Sequence, residues 1–215
     1  MFKTKFKHIN TMHNMDFKLN PERFDLMSKY LYVKYYDKKI RCSFYKDLYI
    51  AHLRTFNNCY EYPDPNLPHQ KTKQTPDDFI EQFNLLIENM KNNGFDTNYP
   101  IPVGQNNIII NGAHRLITAY HMNIKPVFKI CNENGNPDYN YNFFLNRPGT
   151  NPSLDRLYAD TMALEYINHN KNIRAMIIYP TAFTQNKIKN IFDIIENYGY
   201  IYYKKIIKLN KNGIN

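Results

Sequence analysis

The segment between residues 99 and 130 constrains the fold most, because strand patterns and a helical pattern alternate within it at short spacing. A short apolar run at 99–103 and three isoleucines at 108–110 flank the turn-forming tetrapeptide Gly-Gln-Asn-Asn, which predicts a β-hairpin. The helical spacing of residues 116–122 and a further apolar run at 126–130 predict a helix followed by a strand. This order of elements predicts a mixed sheet with flanking helices, an α+β fold.

The residues before this segment predict the best-defined helix of the chain. Thr75 is a typical N-cap, Pro76 suits the first helical position, and Gly94 is a typical helix-ending residue. Asp77 and Asp78 are favourable beside the positive end of the helix dipole. The apolar residues form one stripe at helical spacing: Phe79, Ile80, Phe83, Leu86, Ile87 and Met90. We therefore predict a helix from Pro76 to the residue before Gly94.

Two more helices are predicted towards the N-terminus. Asn20 and Pro21 have the residue types of a helix start. The apolar positions that follow at helical spacing are Phe24, Met27 and Leu31. Residues 43–58 have one apolar face, formed by Leu48, Tyr49, His52, Leu53 and Phe56. A histidine on such a face is more often a core or edge residue than a ligand, and we interpret His52 in this way.

The chain is predicted to have three parts. Residues 1–60 form an N-terminal helical segment, residues 61–150 form the core domain, and residues 151–215 add a helix and a βαβ-like unit. Residues 61–74 are rich in proline and polar turn-forming residues without periodicity, which predicts a long loop of the kind that is often functional. The C-terminal unit either completes the sheet of the core domain, or the chain is a fragment of a longer protein.

Composition and charge exclude several classes of function. The chain of 215 residues contains three widely spaced cysteines, Cys42, Cys59 and Cys131, which predict neither a disulfide framework nor a zinc site. We expect a cytoplasmic protein without a membrane span. The net charge of +9 comes from the two ends, because residues 51–165 carry 9 basic and 12 acidic groups. We therefore expect no specific binding to DNA. The sequence predicts no oligomeric state.

Chemistry is concentrated where the third isoleucine of 108–110 is followed by Asn-Gly-Ala-His-Arg, which we call the 111–115 loop. Gly112 allows a close approach of the backbone, and the following helix directs unpaired N–H groups and its positive dipole end towards this turn. His114 and Arg115 add side-chain donors, and arginine can bind two phosphate oxygens at once. The alternative is a type I′ Asn-Gly turn whose arginine extends into solvent.

Residues 99–130, with the Gly-Ala-His-Arg sequence at the start of a helix, resemble the signature of the ParB/sulfiredoxin-like fold. The resemblance implies that Gly112, His114 and Arg115 bind nucleotide phosphates, with Asn111 where many relatives have aspartate. Ala113 stands where sulfiredoxins have a reactive cysteine, so repair of sulfinic acids is not expected. We find no recognition helix after the loop, unlike chromosome-partition ParB proteins. The free-serine kinases are the most similar branch.

This resemblance implies a small-molecule phosphotransferase that uses ATP or ADP with Mg²⁺ and phosphorylates a hydroxylated metabolite such as an amino acid or a sugar. The candidate catalytic carboxylates are Glu61 and Asp96. Lys71 and Lys73 are candidate phosphate ligands beside the loop residues. Glu61 could equally be an exposed loop carboxylate, and an amide at Asn111 removes a possible base or metal ligand.

Two alternative functions stay open at this point. One is a nucleotide-binding sensor or scaffold without catalysis, and the other is a ParB-like nucleic-acid-binding protein. The arrangement of helices and strands is also similar to ParB-like proteins associated with the synthesis of bacterial surface polysaccharides. A role in polysaccharide biosynthesis is therefore one expected setting for the kinase.

Overall fold

The computed structural model describes residues 11–12, 23–40, 43–63, 72–145, 151–169 and 188–198. The chain forms two compact units, residues 1–170 and residues 171–215. The described elements are, in order, β1 (Thr11–Met12), α1 (Asp25–Asp37), α2 (Ser43–Asn57), α3 (Pro76–Asn93), β2 (Ile101–Val103), α4 (Ala113–His121), β3 (Phe128–Ile130), α5 (Tyr141–Leu145), α6 (Pro152–His169) and α7 (Ile188–Tyr198). The protein is a mixed, mostly helical α and β structure, which agrees with the general α+β class.

The sheet of the first unit is small and has the strand order β1-β3-β2. Strand β2 is parallel to β3, with Ile101 opposite Phe128, and β1 is antiparallel to β3, with Met12 opposite the same Phe128. A parallel pair requires a crossover connection, and here α4 lies in the crossover between β2 and β3. The 111–115 loop therefore lies where the chain passes from the sheet into the crossover helix.

The predicted hairpin forms, but its second strand at 108–110 does not. Val103 and Ile109 make a single antiparallel bridge, and the neighbouring hydrogen bonds run from Gly104 N to Ile108 O and from Ile110 N to Pro102 O. Pro102 has no N–H group with which to return a bond to Ile110, so the ladder cannot extend past this point. The prediction of a second strand was wrong because it rested on the three isoleucines alone, whereas strand pairing also depends on Pro102 in the opposite segment.

Helix α3 confirms its prediction in detail. Thr75 accepts a hydrogen bond from the Asp78 backbone N–H, and the Asp78 side chain accepts one from the Thr75 N–H, which together form a capping box. Pro76 occupies the first turn, and the C-cap is Gly94 with a φ of 77°. The apolar stripe is largely buried, whereas Leu86 is only partly covered. Favourable residues at both ends thus set the limits of α3.

The predicted start of α4 was wrong by one turn. Gly112 is the N-cap with a φ of 84°, and the helix begins at Ala113 instead of residue 116. Because glycine adopts this left-handed conformation without steric cost, the chain can turn and enter the helix within one residue. His114 and Arg115 consequently belong to the first helical turn.

Helix α1 lies at the centre of the first unit. It is buried from Asp25 to Val33, and it packs against α2, α4 and α6. The predicted cap residues Asn20 and Pro21 lie outside the described residues, and the described helix has Phe24 at its N-cap. A helix covered on all sides normally has an apolar surface, yet α1 contains charged residues in its buried half.

In the second unit, the structure describes the single helix α7, within the helix predicted between Thr184 and Gly199. The two predicted strands on either side of it, in residues 173–180 and 201–210, lie outside the described residues. Across the described part of the chain, no helix is long and apolar enough to cross a membrane.

Candidate functional site

The 111–115 loop connects the hairpin to α4 through Gly112. The Asn111 side-chain Oδ1 accepts a hydrogen bond from the Gly112 N–H at 2.6 Å, and the Gly112 carbonyl accepts the first helical bond, from Leu116 N. Among the described residues, no hydrogen-bond partner is found for the backbone N–H groups of Ala113, His114 and Arg115. These three donors at a helix N-terminus are the type of group that binds an anion.

His114 is held in its neutral form within the site. Its Nε2 atom is 2.7 Å from the Tyr49 hydroxyl, and its ring contacts Phe83 edge-on, with centroids 4.5 Å apart. Burial lowers the pKa of His114 to about 3, and the positive charges of Lys29 and Lys73 act in the same direction. Burial also raises the pKa of Tyr49, so the phenol keeps its proton and the Tyr49–His114 hydrogen bond joins two neutral groups. His114 therefore contributes a neutral ring to the site.

Arg115 folds back towards Tyr99, which lies two residues before β2. Its Nη1 atom donates a hydrogen bond to the carbonyl of Tyr99, and its Nη2 atom lies 3.1 Å from the position that a Cβ on Gly112 would occupy. Burial lowers the pKa of the guanidinium, whereas the negative charge of Asp96 acts in the opposite direction. The guanidinium remains charged and lies directly beside the loop.

A cleft opens next to the first turn of α4. Its volume is about 160 Å³, and its lining residues are Tyr49, Lys73, Phe79, Gln82, Phe83, Leu86 and His114. Aromatic rings therefore form most of the wall, with Lys73 as the cation. Because His114 belongs both to the 111–115 loop and to the wall, the cleft adjoins the start of α4.

Lys73 and Glu61, both predicted as site residues, form an ion pair at this cleft. The Lys73 Nζ atom is 2.7 Å from the Glu61 Oε2 atom, and the two backbones are joined by a bond from Glu61 N to Lys73 O. Lys73 also lies over the ring of Phe79, 5.3 Å from its centroid. Both side chains are partly exposed, so a ligand can reach them. Lys71 lies outside the described residues.

Asp96 is not among the residues that line the cleft. It is exposed, and its Oδ1 atom accepts a hydrogen bond from Asn98 N at 3.0 Å, which closes a local turn. Its charge acts on Arg115. Lys73 and His114 thus line one cleft, and Glu61 is paired with Lys73. Asp96 instead interacts with Arg115 through its charge.

The carboxylates near the cleft and near Arg115 do not form a metal site of their own. In the described part of the chain, no group of three His, Cys, Asp or Glu side chains could hold a metal ion. Magnesium in nucleotide sites is usually bound by one or two carboxylates together with phosphate oxygens and water. Glu61 beside the cleft and Asp96 beside Arg115 are carboxylates of this kind.

A buried charge cluster of Arg23, Asp25, Lys29 and His52 was not predicted. Arg23 binds Asp25 through two bonds, from Nε to Oδ1 at 2.7 Å and from Nη2 to Oδ2 at 3.0 Å. Lys29 Nζ is 3.1 Å from Asp25 Oδ2 and 2.9 Å from His52 Nε2. Burial acts to raise the pKa of Asp25, but Lys29 and Arg23 hold it below its usual value. The sequence signal was the i,i+4 pair of Asp25 and Lys29, which normally indicates an exposed helix surface.

No model of a protein family, no curated protein and no solved structure matches this chain. The geometry of the site is therefore the basis on which a function can be proposed for it.

Proposed function

We propose that this protein binds a nucleotide through its phosphates at the 111–115 loop and transfers a phosphoryl group to a hydroxylated small molecule. The supporting observation is that His114, in the first turn of α4, and Lys73, which is paired with Glu61, line the same cleft. A phosphotransferase needs groups that donate hydrogen bonds to the phosphates of the nucleotide, and it needs a proton acceptor near them. In this proposal the start of α4 supplies the hydrogen-bond donors, and Glu61 is the proton acceptor.

We also infer a ParB/sulfiredoxin-like arrangement for the segment that carries the site. Three features support it: β2 lies parallel to β3, α4 lies in the crossover between them, and a glycine with positive φ starts that helix. The Asn111 amide replaces the aspartate of many relatives and here accepts the Gly112 N–H. Base catalysis is therefore assigned to another residue.

In the proposed reaction the backbone N–H groups and Arg115 bind the phosphates of ATP, and Glu61 accepts the proton of the acceptor hydroxyl. The acceptor oxygen forms a bond to the terminal phosphorus, the bond from that phosphorus to the bridging oxygen breaks, and ADP leaves with the bonding electrons. Bound magnesium would neutralise charge on the phosphates. Lys73 exchanges its bond to Glu61 for a phosphate oxygen, which frees the carboxylate to act as the base.

A second candidate is a nucleotide sensor without catalysis. Lys73 Nζ lies 2.8 Å from Oε1 and 2.7 Å from Oε2 of Glu61, so an acceptor hydroxyl would have to displace the ammonium to reach either oxygen. The cleft of about 160 Å³ is also smaller than the ligand pockets of about 300–1,000 Å³ that hold drug-sized molecules. A site of this form can bind phosphates while leaving little room for an acceptor.

Two measurements separate these candidates. The first is calorimetric titration with ATP and ADP, with and without Mg²⁺, and the second is phosphate transfer from ATP to a panel of amino acids and sugars. The kinase predicts binding and transfer, with transfer abolished and binding retained in Glu61→Gln. Glu81→Gln changes an exposed carboxylate on α3 and is the matched control. Binding without transfer to any member supports the sensor, and absence of nucleotide binding rejects both candidates.

A further inference from the structure

We propose that Arg23 is a positioning residue for the 111–115 loop, and this inference rests on the proposed phosphate-binding function. Arg23 is 7% exposed and lies just before α1, remote in sequence from the loop. Its third contact, beside the two bonds to Asp25, is a hydrogen bond from Nη1 to the carbonyl of Ile109. Ile109 belongs to the hairpin segment that leads directly into the loop.

The Arg23 guanidinium binds its two partners through different nitrogen atoms. Nε and Nη2 form a fork on the Asp25 carboxylate, which fixes the plane and direction of the group. Nη1 is then the donor that points at the Ile109 carbonyl. A lysine at this position could keep the ion pair with Asp25, but its ammonium lacks the rigid fork that fixes a second bond at the same time.

Lys29 and His52 stabilise this arrangement from the other side. The Lys29 ammonium has three donors, and three acceptors surround it: Asp25 Oδ2 at 3.1 Å, the Asp25 carbonyl at 3.3 Å and His52 Nε2 at 2.9 Å. A buried ammonium whose three donors all have acceptors holds its neighbours in one geometry, because breaking the Lys29–Asp25 pair leaves a buried charge unpaired. Asp25 is therefore a fixed support for Arg23.

The segment between Ile109 and Gly112 has few other restraints. Val103 and Ile109 form a single bridge, and the ladder ends at the bond from Ile110 N to Pro102 O. Asn111 is exposed and bonds only to the adjacent Gly112 N–H among the contacts described for it. The Ile109 side chain is buried, and the Arg23 bond in addition ties the Ile109 backbone to the buried charge cluster, which sets the direction from which the chain enters α4.

The test is amide hydrogen exchange and phosphate affinity in Arg23→Lys. We expect faster exchange at Ile110 and Leu116, whose N–H groups are hydrogen-bonded on either side of the loop, unchanged exchange in α3, and a loss of about tenfold in affinity for both ATP and inorganic tripolyphosphate. The matched control is Lys34→Gln, which breaks a 2.8 Å bond from α1 to Glu165 on α6 without touching the hairpin. This control is expected to reduce stability and leave loop exchange and affinity unchanged.

Equal exchange and equal affinity in folded Arg23→Lys and wild-type protein would overturn the inference, as would an equal effect of Lys34→Gln. If the wild type binds neither ATP nor tripolyphosphate, the proposed function fails, and exchange at Ile110 and Leu116 then decides the positioning role alone. Should Arg23→Lys not fold, nitrogen-15 NMR of the wild type replaces it. A shift of the Arg23 Nε–H signal during tripolyphosphate titration, in step with the Ala113 amide, supports the inference, and a constant signal rejects it.

Discussion

The two interpretations of the 111–115 loop, a phosphate-binding site and a structural turn, assign different roles to Arg115. Its Nη1 atom donates to the Tyr99 carbonyl, as expected for a structural turn. A guanidinium has five N–H donors, however, and the bond to Tyr99 uses only one of them, so the remaining donors can bind a phosphate. The bond to the Tyr99 carbonyl already restricts the Arg115 side chain, so less conformational entropy is lost when the guanidinium binds a phosphate. Paired measurements of stability and affinity can separate the two roles.

Replacing Arg115 by alanine is expected to weaken ATP binding about ten- to a hundred-fold. The reason is the loss of a charge-assisted bond to phosphate, which contributes about 1.5–3 kcal/mol. Calorimetry gives the affinity, and thermal unfolding of the same samples gives the stability. Lys38→Ala removes an exposed charge at the opposite end of α1 from Arg23 and serves as the control. A lower melting temperature with unchanged affinity would identify a purely structural arginine.

Gly112→Ala is expected to destabilise the protein by about 1–2 kcal/mol, because an L-residue is strained at a φ of 84°. The added Cβ would also approach Arg115 Nη2 to 3.1 Å. Asparagine tolerates this conformation better, so Gly112→Asn should cost less. Urea unfolding of the two variants checks the order, and equal costs would show that backbone strain is not the cause.

The residues of the loop were predictable because each has a local chemical signature. A glycine directly before a helical pattern, followed by two side-chain donors, needs no tertiary information to be recognised. Tyr49 could be assigned only to an apolar face, since its contact with His114 joins α2 to α4. Arg23, Asp25 and Lys29 were not predicted, because charged residues are rarely buried and their burial depends on how helices pack.

At the level of elements, α3 and the hairpin show what limits prediction. The ends of α3 follow from residues within the helix and its caps, so the sequence alone contains the information. The second strand of the hairpin depends on the residue opposite it, and Pro102 cannot provide the N–H group that it needs. Pairing partners must be known before strand length can be predicted, which is why α3 was predicted better than the sheet.

Thr75→Ala is expected to lower the free energy of unfolding by about 1 kcal/mol. The substitution removes the side-chain oxygen that accepts the Asp78 N–H and thereby disrupts the capping box. Thr75→Ser retains that oxygen and should restore most of the loss. Urea unfolding monitored by circular dichroism gives the comparison. If serine and alanine are equally destabilising, the cap bond does not contribute to stability.

At the scale of the whole molecule, folding fixes the protonation of buried groups and so makes stability depend on pH. Burial depresses the pKa of His114, so between its ordinary value of 6.5 and about 3 the unfolded chain binds a proton that the folded chain does not. Stability therefore falls as pH decreases through this range. Asp25, whose pKa is also lowered, adds a further loss only below its ordinary value of 3.8.

His114→Gln is expected to flatten the dependence of unfolding free energy on pH between 6.5 and 4.5. Glutamine can still accept a bond from the Tyr49 hydroxyl, but it does not titrate. One proton corresponds to a slope of at most about 1.4 kcal/mol per pH unit. Urea titrations at half-unit intervals of pH measure this slope, and identical slopes in both proteins would contradict the assignment of the effect to His114.

The contact between Asn111 and Gly112 has a consequence for the ageing of the protein. An asparagine followed by glycine deamidates when the glycine nitrogen attacks the side-chain carbonyl carbon, and here that nitrogen is 2.6 Å from Asn111 Oδ1 in an exposed loop. We expect slow conversion of Asn111 to aspartate and isoaspartate during storage at neutral pH. Mass spectrometry of peptides from aged samples would detect it, with Asn93 before Gly94 as the internal comparison. The product places a negative charge at the loop, so aged preparations should bind phosphate ligands more weakly than fresh ones.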